Sequence, residues 1–144
     1  MPTVTESANK AAFRRMLDAA NSHDDERMSQ TFDEVFRSDV VLHTPVPTRA
    51  AGVEAMKEIF VTLHRAFPDL RVTIDDVIEE GDKVVARQTV TGTHLGRFMG
   101  MPPTRKSVTY DEIFIFRFVR GRVAEIWGVV DVVSYLKQLG VIDA

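Results

Sequence analysis

Val108-Thr-Tyr-Asp-Glu-Ile-Phe-Ile-Phe-Arg-Phe-Val119, then Arg120-Gly-Arg122, then Val123-Ala-Glu-Ile-Trp-Gly-Val-Val-Asp131: this stretch decides the fold. Two runs rich in β-branched and aromatic residues flank a short basic turn that contains Gly121, which is a hairpin signal. The only Trp and one of the two Tyr lie in it. A lone hairpin is marginal in water, so its apolar face needs a cover.

The rest of the chain supplies that cover. Upstream, Phe13, Met16, Leu17 and Ala20 recur at helical spacing between Glu6 and Asn21. A second helix is expected over Asp25–Phe36, capped by Asp24 or Asp25, with Met28, Phe32, Val35 and Phe36 on one side. Val40–His43 reads as a short strand before the Thr44-Pro45-Val46-Pro47 loop. Val53, Met56, Phe60, Leu63 and Phe67 stripe a third helix that Pro68 stops. Strands follow from Leu70 and over Val84–Thr93. In the second, Val84, Ala86, Gln88 and Val90 alternate against Val85, Arg87, Thr89 and Thr91. A Gly- and Pro-rich loop, His94–Thr104, leads to the hairpin. A short helix over Val132–Leu139 ends at Gly140. Early helices and late, long strands point to an α+β domain: a curved antiparallel sheet wrapped around the N-terminal helices as a cone, with a pocket at its mouth.

The 144 residues fit one domain, 1–144. With no Cys, disulfide and thiolate chemistry are excluded, and a net charge of -3 gives no reason to expect nucleic acid or a membrane as partner. No apolar run approaches the roughly 20 residues that span a bilayer, and Met1–Ser7 has no signal-peptide character. A cytoplasmic protein is expected. The four His are scattered and no ligand spacing is visible, so a metal is not expected, and no phosphate loop or dinucleotide fingerprint calls for another cofactor.

Thr91-Gly-Thr-His-Leu-Gly-Arg-Phe-Met-Gly-Met-Pro-Pro-Thr104 resembles the loop of SnoaL-like polyketide cyclases, in the nuclear-transport-factor-2-like superfamily of α+β cones. Ala66–Leu70, Glu80–Val84 and the segment from Phe116 to Asp131 resemble that family in the same order. The resemblance implies a small hydrophobic ligand and aldol-type ring closure without metal or organic cofactor. Relatives also perform other chemistry, including ring hydroxylation. A homodimer paired through the broad sheet face is also implied. Such cyclases tend to carry His-Trp-Asp on the final strand, with His and Asp facing the pocket. Here the tripeptide is Ile126-Trp127-Gly128, so that acid/base pair does not carry over.

The base must then lie elsewhere. Glu112 shares a face with Tyr110, Phe114 and Phe116 by alternation, and a carboxylate among aromatics is costly unless partnered or functional. It is the leading candidate, with Tyr110 as donor to a developing enolate. The other reading of that face is a helix or subunit contact with Glu112 paired to an Arg. Asp131 is a second candidate, or else the cap of the last helix. His43, at a strand end, is a third and could relay protons, or be structural. Phe98, Met99, Met101, Phe114, Phe60 and Trp127 are the expected ligand-binding residues, Phe98, Met99 and Met101 as a lid or rim. Two functions remain open at this stage: a cyclase or isomerase acting on a polyketide-like carbonyl compound, or a non-catalytic binder of small hydrophobic ligands that has lost the base.

Overall fold

The computed structural model describes residues 6–143; the reading of Met1–Thr5 lies outside them. Helix α1 (Ala8–Asn21) starts where the Ser7 side chain accepts from the Lys10 amide, and α2 (Asp25–Val35) where Asp24 accepts from the Arg27 amide. Caps of this kind contribute about 1 kcal/mol each. Phe13, Met16, Leu17 and Ala20 are buried on the expected face of α1. Phe36 follows Phe32 by four residues and looks helical in sequence, yet it opens strand β1 (Phe36–His43) with extended backbone. There its ring meets Phe32 edge-on at 5.2 Å.

Helix α3 (Val53–Ala66) precedes β2 (Arg71–Glu80), β3 (Lys83–Thr93), β4 (Ser107–Val119) and β5 (Arg122–Val130), and α4 (Val132–Gln138) closes the chain. The five strands form one curved sheet in the order β1-β5-β4-β3-β2. Three of its four pairings are antiparallel, and the expected hairpin is β4–β5. The expectation of a wholly antiparallel sheet is corrected at one edge, where β1 pairs with β5 in parallel. That pairing joins strands separated by a helix and three strands, the long connection that parallel neighbours require.

Helices α1, α2 and α3 cover the concave face. The core is built from Phe13, Met28, Phe32 and Phe67 on the helix side and Val84, Val90, Phe116 and Ile126 on the sheet side. Asn21 ties α1 to β2: its side-chain amide donates to the Val72 carbonyl at 2.8 Å and accepts from the Val72 amide at 2.9 Å. Tyr135 on α4 and Leu139 just after it are buried, and Leu136 packs against the same core. The result is an α+β cone. Among the described residues no helix is long and apolar enough to cross a membrane.

Candidate functional site

A cavity of about 80 Å³, partly open to solvent, lies between the helices and the concave sheet face. Strand alternation builds its floor. On β4 the inward residues are Tyr110, Glu112, Phe114 and Phe116, and on β3 they include Gln88 and Val90. Ile126 and Val130 of β5 complete it. The roof comes from Met16 and Leu17 of α1 and from Met56, Ile59, Phe60 and Leu63 of α3. Thr44–Val46, Phe98, Met99 and Tyr135 stand at one end. Among the described residues no Lys, Arg or His lines it.

The polar centre is a cross-strand pair. Gln88 and Glu112 face each other in register, and Gln88 Nε2 donates to Glu112 Oε1 at 2.8 Å. Protein surrounds Glu112 on nearly all sides, and it keeps some surface because it borders the cavity. Loss of water around the carboxyl pushes its pKa up to about 7, against the opposing effect of the Gln88 hydrogen bond. Tyr110, two residues away on the same face, has its hydroxyl pKa raised by burial and then by the negative charge of Glu112. Its phenol therefore stays protonated and able to donate. Tyr135 donates to the Met99 sulfur at 3.8 Å, and burial raises its pKa too.

Of the residues expected at the site, Glu112, Tyr110, Phe98, Met99, Phe114 and Phe60 all line this cavity. Four others do not. Asp131 is the N-cap of α4, where its carboxylate accepts from the Ser134 amide at 3.0 Å; this is the helix cap that the sequence offered as the other reading of this residue. His43 lies exposed on the outer side of the sheet. There it stacks on Trp127 with ring centroids 5.6 Å apart and bonds to Glu125 at 2.8 Å. Trp127 shares that outer side because it follows Ile126, which points in. Met101 closes a tight turn with Phe98 through paired backbone hydrogen bonds of 2.8 and 3.0 Å and packs against the core beside the cavity rather than in it.

Gln88 and Tyr135 are lining residues with hydrogen-bonding side chains that the sequence reading did not assign to the site. Gln88 was visible as the one polar residue in the Val84–Val90 stripe, a signal passed over as ordinary alternation. Tyr135 lies on a helix too short for its inward face to be read. His94, in the Gly-Pro loop, is buried and accepts from the Thr104 amide at Nδ1, as a loop hydrogen-bonder would. The His64 side chain turns inward, its ring 4.2 Å from that of His23 and tilted 30° against it.

Among the described residues no group of three or more His, Cys, Asp or Glu side chains is gathered as a metal site would need. The chemistry available to the arrangement is proton transfer by Glu112, hydrogen bonding by Gln88 and Tyr110, and apolar confinement.

Comparison with known proteins agrees with the fold. Residues 10–139 match the model of the SnoaL-like polyketide cyclase family. The curated nogalonic acid methyl ester cyclase of Streptomyces nogalater is 34% identical over 62 residues. That match covers 43% of this chain and 46% of the relative, so it spans under half the length of that protein. Among solved structures, AclR of Streptomyces galilaeus, a suggested hydroxylase, is 30% identical with a TM-score of 0.79 over 94% of this chain and 83% of its own. TsrD of Streptomyces laurentii is 26% identical with a TM-score of 0.84 over 97% of this chain and 100% of its own. With its cone, its loop and nearly its whole length matched, the chain belongs to the SnoaL-like polyketide cyclase family.

Proposed function

We propose that the chain is a cofactor-independent cyclase or isomerase in which Glu112 removes a proton beside a carbonyl group of a polyketide-like compound. The observation that carries this reading is a carboxyl group enclosed in an apolar cavity with its pKa pushed up to about 7. Such a group is a stronger base than an ordinary carboxylate and is still ionised in part near neutral pH. In the step, the C–H proton passes to Glu112 and the C–H electron pair moves onto the carbonyl oxygen as an enolate. The Tyr110 hydroxyl is the candidate donor to that oxygen. For ring closure, the enolate carbon bonds to a second carbonyl carbon, and the new alkoxide takes the proton back from Glu112. Atoms and charge balance with no other reactant. Because no cationic side chain among the described residues lines the cavity, a neutral compound suits it: an ester or ketone rather than a free acid. The curated relative's name, a methyl ester cyclase, agrees.

The second reading, a ligand-binding protein without catalysis, is favoured by Gly128 and Ile126, which take the place of the family's acid and base. Solvent deuterium uptake by naphthyl β-keto methyl esters in heavy water separates the two. Exchange above the protein-free rate, lost in Glu112→Gln and kept in Asp131→Asn, is the enzyme's result. Esters that bind without exchange would leave only the binding protein.

The partner we infer is a second copy. On the outer side of the sheet, Ile78, Val85, Ile115 and Trp127 form one cross-strand row beside Ile113 and Val129. Charged residues of both signs border it, Arg87 with Asp75 and Asp76 on one side and Arg117 with Glu125 on the other. An apolar band between mixed charges suits pairing with itself.

A further inference from the structure

Gln88 carries a hydrogen-bonding group that the protein leaves unused. The residue is 4% exposed. Its Nε2 is spent on Glu112, while its Oε1 is buried with no partner among the described residues. While Glu112 is ionised it sets the orientation of the amide: turning Oε1 toward the carboxylate would set two acceptors against each other. Glu112 thus holds the amide so that its acceptor faces away from the carboxylate, in a residue that borders the cavity. A buried acceptor without a donor is costly, and such groups in native proteins call for an explanation.

We propose that Gln88 is a specificity-determining residue whose Oε1 accepts a hydrogen bond from a phenolic or enolic hydroxyl of the ligand, so that the cavity selects hydroxylated aromatic compounds over their O-alkyl ethers. This rests on the reading of the cavity as the ligand site, and does not require that Glu112 perform catalysis. A hydroxyl satisfies the amide oxygen without adding charge. A methyl ether of the same shape offers no donor and buries Oε1 unpaired against a methyl group. Sites that hydrogen-bond a ligand hydroxyl reject analogues lacking it far more strongly than apolar pockets reject a change in size. The second role of the amide follows from the same bond. By donating to Glu112 it favours the ionised carboxylate and orients the oxygen left free for the substrate proton.

The test is calorimetric binding of 2-naphthol and 2-methoxynaphthalene to the full chain. The wild type is expected to bind the naphthol at least about tenfold more tightly. Gln88→Met, close to it in volume and without the acceptor, is expected to bind both alike, with its affinity for the ether within about twofold of wild type. Glu112→Gln is expected to keep the preference. Gln88→Leu stands in if the Met variant fails to fold, and the wild-type comparison needs no variant at all. The proposal is overturned if the wild type shows no preference, as when a trapped water satisfies Oε1 with either ligand, or if neither compound binds. It is also overturned if the preference survives in Gln88→Met and disappears in Glu112→Gln, which would put the hydroxyl on the carboxylate. Selective binding together with absent deuterium exchange would sink the proposed catalysis and leave this inference standing.

Discussion

The ring of Phe114 occupies the space that a side chain at residue 128 would need. The two residues are cross-strand partners on β4 and β5, and a Cβ built on Gly128 would lie 2.2 Å from Phe114 Cε1. No side chain can therefore stand at residue 128 without displacing an aromatic ring that lies two residues from Glu112 on the same strand face.

Gly128→Ala is accordingly expected to destabilise the protein by roughly 1–3 kcal/mol, the usual cost of overfilling a packed site. Combining it with Phe114→Leu should recover much of that loss. Urea unfolding of the two single variants and the double variant measures the coupling. Additive effects would mean that the ring moves aside freely.

Glu112 makes activity and stability run in opposite directions with pH. The base is the ionised form, so exchange catalysis should rise as pH increases through about 7. Because the folded pKa lies above the ordinary value of 4.5, the stability contributed by the protonated group is complete below about 4.5 and is lost as pH rises through about 7. Above that, wild type should be less stable than Glu112→Gln by about 3 kcal/mol, while below pH ~4.5 the two should converge. Unfolding curves of the pair across this range check it; parallel curves would show that the carboxyl is well solvated.

His64 gives acid sensitivity of the opposite sign. Loss of water around its ring lowers its pKa, and facing His23 lowers it further, against the pull of Asp25. The stability this contributes is present above the unfolded value of about 6.5 and is lost as pH falls from there through the lowered folded value. His64→Phe should flatten the decline in Tm below pH ~6.5 and leave Tm nearly unchanged above pH ~7. Acid decline as steep as wild type would place the sensitivity elsewhere.

If the outer sheet face pairs two copies, Val129, 75% exposed, lies in the contact. Sedimentation should report a dimer for wild type and a monomer for Val129→Lys, with an unchanged far-ultraviolet spectrum. A wild-type monomer would turn the apolar row into a surface without this partner.

Period-two alternation, helical apolar spacing and the caps were legible in the chain, because each is set by neighbours within a few residues. They marked the hairpin, the helices and the shared face of Tyr110, Glu112, Phe114 and Phe116. Alternation also set Trp127 opposite Ile126 and Gly128. What needed the tertiary structure was which face turns inward and what waits there. The β3–β4 register that sets Gln88 against Glu112 joins residues 24 apart. The packing of Phe114 over Gly128, the parallel edge that carries His43 to the outer side beside Trp127, and the inward turn of His64 depend likewise on contacts between distant segments. Local pattern says that a strand has two faces; only the helices that close over one of them decide which carboxylate loses its water.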